Sequence, residues 1–158
     1  MADKKYEKYL TKNLFRPSMD AERQMVSTRH LDDFVGKNFS LDCAFRTKPL
    51  LMIPKPHKHK FDQYICFLSA NEDDVTDFDA EIEFTLGDER EKQVITSPTI
   101  AFIPAGMAHG PLNFVRVTKP VLFLDVAITH KYERSWEAED FGEVEGGEGE
   151  GGDGGGGE

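Results

Sequence analysis

The stretch EIEFTLGD, residues 81–88, shows the clearest strand pattern in this 158-residue chain. Its apolar residues Ile82, Phe84 and Leu86 alternate with polar ones, so an extended strand here would have one apolar and one polar face. The glycine and aspartate that end the stretch are typical of a turn. The stretch therefore predicts a half-buried strand that ends where the chain reverses direction.

Other short apolar runs lie on both sides of this strand. They occupy residues 39–46, 50–53, 63–68, 92–96, 99–103, 112–117 and 121–129. Proline, glycine and aspartate separate the runs, and no helical periodicity lies between them. Eight strands in this part of the chain predict an all-β fold, either a closed barrel or a double-sheet jelly roll.

Three segments of different character follow one another along the chain. Residues 1–38 show weak helical spacing, which predicts an N-terminal arm with short helices. Residues 39–136 carry the strands and predict the β-barrel domain. Residues 137–158 end in a stretch of 17 residues with 10 of the 14 glycines and six acidic residues. Such a composition cannot bury apolar surface, so we expect a disordered, acidic, glycine-rich tail.

Charge and hydropathy exclude several classes of partner. The chain has 29 acidic and 19 basic residues, a net charge of −10, which would repel a phosphate backbone. No run approaches the 18 or so apolar residues of a membrane span, and the first residues lack the apolar core of a signal peptide. We therefore expect a cytoplasmic protein with no nucleic-acid and no membrane partner.

The two cysteines, Cys43 and Cys66, form neither a CxxC pair nor a disulfide framework. Each lies in an apolar run that predicts a buried strand. Cysteine in such surroundings behaves as a small apolar residue, so we expect two buried free thiols.

The segment PHKHK contains two histidines, His57 and His59, at a spacing of two. In an extended chain, residues two apart lie on the same face, so both imidazoles would be aimed at one point, as metal ligands are. An HxH pair also occurs as an ordinary structural or surface pair, and the spacing alone leaves both readings open.

A third histidine, His109, follows the apolar run 99–103 and a turn with Pro104 and Gly106. Proline fixes one backbone angle and glycine permits a positive one, so a tight turn would place His109 at a defined position. An ordinary hairpin turn with a chance histidine is the alternative reading.

Together the two elements resemble the two motifs of the cupin superfamily, HxHxxxE or HxHxxxxE and PxGxxHxxxN. Here they read HKHKFDQ at 57–63 and PAGMAHGPLN at 104–113, and the second matches at every specified position. The resemblance covers about residues 45 to 130 and is strongest to small single-domain bacterial cupins. It implies a cupin jelly-roll barrel with a short N-terminal helical arm and one divalent metal ion (Mn, Fe, Ni, Co or Zn). The implied ligands are His57, His59, Gln63 and His109.

The chain departs from the first motif at Gln63, where the superfamily has glutamate. Asp62 is the rival oxygen ligand. An amide keeps an oxygen donor but removes a negative charge, so the bound ion would keep its full formal charge and favour anionic ligands. Asp125 interrupts the last apolar run and is either a rim residue or a functional one.

The resemblance implies a metal-dependent enzyme acting on a small, oxygen-rich, anionic molecule such as a keto, hydroxy or sugar acid. An isomerase or lyase reaction is favoured, because neutral ligands do little to stabilise a higher oxidation state. The alternatives are a metal-dependent dioxygenase and a non-catalytic module that binds a small ligand or a metal. The resemblance also implies a homodimer, which would protect an exposed sheet edge.

Overall fold

The computed structural model describes residues 4–20, 22–31, 34 and 36–129. The predicted tail and the last part of the predicted barrel domain, up to residue 136, lie outside the described residues. The described part contains ten strands and a short 3₁₀ helix, Glu7–Tyr9. The strands are β1 (Phe15–Pro17), β2 (Gln24–Ser27), β3 (Ser40–Arg46), β4 (Leu50–Ile53), β5 (Gln63–Ser69), β6 (Ala80–Leu86), β7 (Glu91–Ile95), β8 (Thr99–Ile103), β9 (His109–Val117) and β10 (Val121–Ala127).

The strands form two antiparallel sheets. The large sheet has the order β1-β2-β3-β10-β5-β8 and the small sheet the order β4-β9-β6-β7. Strands β3 to β10 coincide with the eight apolar runs predicted from the sequence. In both sheets some neighbours come from distant parts of the chain, since β10 lies between β3 and β5 and β9 lies between β4 and β6. Eight strands wound into two facing sheets in this way form a jelly roll, which confirms the all-β prediction.

The N-terminal segment is largely extended, whereas the sequence predicted short helices. After the 3₁₀ helix, β1 and β2 continue the large sheet beyond β3. Val26 pairs with Cys43 and Ser27 with Asp42, and Ser27 is buried. A short helix without tertiary packing is marginal in water, and strand pairing instead satisfies backbone groups along the edge of β3. No helix in the described part of the chain is long and apolar enough to span a membrane.

The hydrophobic core lies between the two sheets. Four phenylalanines meet there, and all are almost completely buried. The ring centroid of Phe67 lies 6.2 Å from that of Phe84, 6.1 Å from that of Phe114 and 5.7 Å from that of Phe123. Aromatic rings attract one another at these separations. Because Phe67 and Phe123 come from the large sheet and the other two from the small sheet, this cluster joins the sheets.

The outward faces of the two sheets differ in character. On β6 the glutamates alternate outward while Ile82 and Phe84 are fully buried, as the sequence predicted. On the large sheet, β3, β10, β5 and β8 turn apolar side chains outward. This outer apolar face consists of Leu41, Cys43, Phe45, Tyr64, Cys66, Leu68, Ile100, Phe102, Leu122, Leu124 and Val126.

Both cysteines are free, and they lie on this face. Leu124 of β10 pairs with Cys43 on one side and with Cys66 on the other, so the two cysteines are two strand spacings apart. That separation, about 9–10 Å, is too large for a disulfide. Burial raises the pKa of both thiols, and the carboxylates of Asp42 and Asp125 raise the pKa of Cys43 and of Cys66, respectively, further. A raised thiol pKa favours the unreactive protonated form.

Candidate metal centre

Two buried imidazoles lie on the segment between β4 and β5. His57 and His59 are 1% and 4% exposed, and their Nε2 atoms lie 3.1 Å apart. Lys58, between them, extends in another direction and its Nζ lies 3.5 Å from Asp88. The two imidazoles therefore converge, as alternation along an extended chain predicts.

His109, the first residue of β9, joins this pair through the backbone. His109 N–H donates to the carbonyl of His57 and His57 N–H to the carbonyl of His109, each at 3.0 Å. The ring centroid of His109 lies 4.2 Å from that of His57 and 5.0 Å from that of His59. One ring nitrogen from each of the three histidines lies within 4.8 Å of the other two. The tertiary structure thus brings both sequence motifs to one buried cluster.

A backbone carbonyl sets the tautomer of His109. Its Nδ1 lies 3.1 Å from the carbonyl oxygen of Met107. A carbonyl oxygen can only accept a hydrogen bond, so Nδ1 carries the proton and donates it. The lone pair is then on Nε2, which is the arrangement that a metal-binding histidine needs.

The turn before His109 is held against the first motif. Gly106, at a φ of 84°, donates its N–H to the carbonyl of His59 at 2.8 Å. Ala105 N–H donates to Oδ1 of Asp62 at 2.9 Å. Asp62 is exposed and supports this turn. Its carboxylate therefore has a structural task outside the histidine cluster.

Gly110, which the motif leaves unspecified, allows a close approach of two segments. Its φ is 105°, and a Cβ on it would lie 2.7 Å from the carbonyl oxygen of Lys55. Any side chain would push apart the segments that carry His57 and His109. The sequence shows a glycine directly after His109, but only the fold shows that this position requires a glycine because Lys55 lies so close.

Gln63, the first residue of β5, is 1% exposed. Its Nε2 donates to Oδ1 of Asp125 at 2.6 Å. Its Oε1 is buried and accepts no hydrogen bond from the described residues. A buried amide oxygen without a partner costs about 1–3 kcal/mol, and a cation is one partner that would satisfy it.

The donor set fits a divalent transition-metal ion. Two nitrogens that bind one ion at about 2.0–2.1 Å, with an angle of 90–110° between them, lie about 2.9–3.4 Å apart. The separation of 3.1 Å between the Nε2 atoms of His57 and His59 falls in this range. Imidazole nitrogens suit Zn, Cu, Fe and Ni, and an added oxygen donor also suits Mn. The three-histidine cluster could therefore bind a metal.

Behind Gln63 lies a buried ionic network that sequence reasoning largely missed. Asp125, left open as a rim or a functional residue, is buried and forms an ion pair with Arg29, in which Oδ2 lies 2.9 Å from Nη2. Nη1 of Arg29 lies 2.7 Å from Oδ2 of Asp42, and Nη2 of Arg16 lies 3.0 Å from the same oxygen. Asp42 also accepts from the hydroxyl of Ser27. The only signal was that Asp42, like Asp125, interrupts an apolar run.

Other polar residues near the motifs lie away from the cluster. Arg46 is buried beside Phe123 and pairs with Val121, at the end of β10 opposite the residue that pairs with Gln63. That places it about 20 Å along the strand. Tyr64 lies on the outer apolar face, where its ring contacts Phe102. Asn113, the last motif residue, pairs with Glu83 on the outward side of the small sheet.

No protein-family model matches the sequence, and no curated protein matches it. Solved structures do match part of the chain. An oxalate decarboxylase variant from Bacillus subtilis has 12% identity and a TM-score of 0.45, covering 70% of this chain and 26% of that one. Another structure of that enzyme comes from work on its Mn(II) centres. An ethanolamine utilization protein Q from Salmonella typhimurium has 15% identity and a TM-score of 0.39, covering 68% and 70% of the two chains. KdgF from a Halomonas species has 13% identity and a TM-score of 0.39, covering 58% and 70%.

The chain has a jelly-roll fold in which the two segments that resemble cupin motifs meet. The strand order and the meeting of the HxH segment with the PxGxxH turn carry this assignment. In this jelly roll, the histidine cluster lies where β4, the β4–β5 segment and the start of β9 come together. The chain spans about a quarter of the length of the oxalate decarboxylase chains, 26%.

Proposed function

We propose that this protein is a cupin and a metal-dependent enzyme that acts on a small, oxygen-rich, anionic molecule by an isomerase or lyase reaction. The observation that carries the proposal is the buried cluster of three imidazoles. Imidazoles this close together repel one another when protonated, so the arrangement is most favourable when a cation holds the neutral rings together.

The proposed ligands are His57, His59, Gln63 and His109. The choice of Gln63 over Asp62 is supported by burial, since Oε1 of Gln63 is buried and accepts no hydrogen bond from the described residues, whereas Asp62 is exposed and bonded to Ala105. All four ligands are uncharged in their binding forms. A site of this kind attracts anionic groups more strongly than one that contains a carboxylate.

A bound divalent cation supplies a Lewis acid that polarises a carbonyl or carboxylate oxygen. The side chains around it set the geometry. The carbonyl of Met107 accepts from Nδ1 of His109, which leaves the lone pair of the neutral ring on Nε2, and Asp125 holds the amide of Gln63. Phe61 stacks on His59 at a centroid distance of 4.7 Å and shields one face of that ring from water. The chain thus presents a preformed, partly dehydrated site, in which electrostatic interactions are strong.

The proposal is tested by loading the protein with Mn²⁺, Fe²⁺, Co²⁺, Ni²⁺ or Zn²⁺ in turn and incubating it with small hydroxy, keto and sugar acids. Proton NMR reports new products, and an electrode reports oxygen consumption. Isomerised or cleaved product without oxygen uptake is the expected result. Oxygen uptake coupled to product would establish the dioxygenase alternative, and tight binding without turnover would establish the binding module.

The proposed homodimer would be formed through the outer apolar face. Among the described residues no charged side chain lies on this face, and Ile100 and Phe102 on the edge strand β8 are 60% and 50% exposed. Phe45 and Tyr64 of this face are also exposed, and monomeric proteins rarely expose large contiguous apolar patches. Two acidic chains repel each other least where their contacting surfaces carry no charge. In a two-fold symmetric dimer, the same face of both chains forms the interface.

Phe102→Glu is expected to convert the dimer to a monomer, because it places two carboxylates in a desolvated contact. Sedimentation velocity at about 10 µM measures the state, and the matched control is Val94→Glu, which alters an exposed residue on the small sheet. Unchanged sedimentation of the Phe102 variant, or a monomeric parent, would refute this interface.

A cytoplasmic location, the absence of nucleic-acid partners and the disorder of residues 137–158 stay predictions from the sequence. So does the identity of the metal among Mn, Fe, Ni, Co and Zn. Elemental analysis of protein purified without added metal, with all five elements measured, addresses the last of these.

A further inference from the structure

Each carboxylate oxygen of Asp125 contacts a different side chain. Oδ1 accepts from Nε2 of Gln63 at 2.6 Å, and Oδ2 lies 2.9 Å from Nη2 of Arg29. Arg29 also reaches Asp42, so it holds Asp125 in place from the side remote from Gln63. The carboxylate is fixed by an ion pair, and the amide of Gln63 is fixed in turn by the carboxylate.

We propose that Asp125 is a positioning residue that selects a neutral amide at position 63 and orients it. A carboxylate only accepts hydrogen bonds, so the group that faces Oδ1 of Asp125 must be the NH₂ end of the amide. The other end, Oε1, is then the end available to a cation. The orientation part of this inference rests on the proposed metal site, whereas the selection of an amide does not depend on it.

The contact explains why this chain departs from the glutamate of its motif. A glutamate at position 63 would place a second carboxylate at hydrogen-bond distance from Oδ1 of Asp125, with no hydrogen between them. Two like charges in a buried environment repel strongly. The amide at position 63 is therefore matched to the aspartate at position 125.

The same contact predicts that the two residue types can be exchanged. In the double variant Gln63→Glu with Asp125→Asn, the new amide at position 125 donates from its NH₂ group to the new carboxylate. Its carbonyl oxygen then accepts from Arg29. The number of charges in the network stays the same and the hydrogen bond between positions 63 and 125 is retained, although the negative charge moves from β10 to β5.

Thermal unfolding of the metal-free proteins tests the selection of an amide. Gln63→Glu alone is expected to lower the thermal midpoint by about 10 °C, because it leaves a buried carboxylate facing another. Asp125→Asn alone is also expected to lower the thermal midpoint. Asparagine has a single carbonyl oxygen, so it cannot present an acceptor to both Gln63 and Arg29. The double variant is expected within about 3 °C of the parent. A double variant no more stable than the sum of the two single effects would overturn the proposal.

Titration of Co²⁺, followed by its visible absorption, tests the orientation. Asp125→Asn is expected to weaken Co²⁺ binding by about tenfold and to change the absorption spectrum, because the amide of Gln63 is no longer held with its oxygen outward. Asp42→Asn is the matched control. Asp42 pairs with Asp125 across the sheet and binds the same Arg29, but it makes no hydrogen bond to Gln63.

The Asp42 variant is expected to lose stability and to keep the parent Co²⁺ affinity and spectrum. Equal changes in both variants would show that Asp125 supports only the fold, and would overturn the positioning role. A parent protein that binds no Co²⁺ would refute the proposed metal site and the orientation with it. In that case the unfolding experiment still decides the selection of an amide, since it uses no metal.

Discussion

Replacing His109 by alanine is expected to abolish stoichiometric metal binding. Loss of a residue that only orients a ligand costs about 10–100-fold in metal affinity, and loss of the ligand itself should exceed that range. The effect should be large because His109 also closes the cluster from the second motif, with its ring 4.2 Å from that of His57. Calorimetric titration of the metal-free protein, with about one divalent ion per chain in the parent, measures the change.

His30→Ala is the matched control for this experiment. His30 is an exposed histidine outside both motifs, so the same substitution removes an imidazole without touching the cluster. The parent affinity should be retained. Equal metal content in the His109 and His30 variants would show that the second motif contributes no ligand.

Gly110→Ala is expected to lower both stability and metal affinity. Its Cβ would lie 2.7 Å from the carbonyl oxygen of Lys55 and 3.1 Å from the Ile53 side chain, in backbone that cannot move without displacing His57. A positive φ costs an alanine about 1–2 kcal/mol, and forced separation of packed segments adds about 1–3 kcal/mol. The resulting fall in the thermal midpoint is about 10 °C for a chain of this size. Thermal unfolding and metal titration measure the two effects.

Gly106→Ala isolates the contribution of backbone strain. Gly106 lies in the same motif and has a φ of 84°, but a Cβ on it would meet no atom within 4 Å. Its variant should therefore lose only about 1–2 kcal/mol and bind metal nearly as well as the parent. If the two alanine variants bind metal equally, close approach at Gly110 does not maintain the cluster.

The sequence by itself determined the strands and the residues of the second motif. Strands β3 to β10 follow from apolar runs because strand formation depends on a local period of two, which is readable without knowing the partner strand. The convergence of His57 and His59 is local in the same sense. Pro104 and Gly106 define a turn through their own backbone preferences. Properties that depend on neighbours along the chain could thus be predicted.

In the N-terminal segment, residue spacing alone does not predict the secondary structure correctly. Residues Tyr6, Tyr9 and Leu10 have helical spacing, but each is exposed, and only a three-residue 3₁₀ helix forms there. The strand β2 is extended because β3 offers it an unpaired edge. A helix of so few residues is stabilised less than a strand that forms hydrogen bonds with an available sheet edge.

Only the tertiary structure decided which polar residues surround the cluster. Asp125 meets Gln63, 62 residues away in the chain, and Arg29 meets both Asp42 and Asp125. These contacts arise because the jelly roll places β10 between β3 and β5, a strand order that no local pattern encodes. The apolar runs of β5 and β10 likewise predict burial on both faces, yet among the described residues Tyr64 on the outer apolar face is 40% exposed. The preference of a side chain for a strand, a turn or a buried position can be predicted from the sequence. The residue that it contacts is determined only when distant strands are brought together.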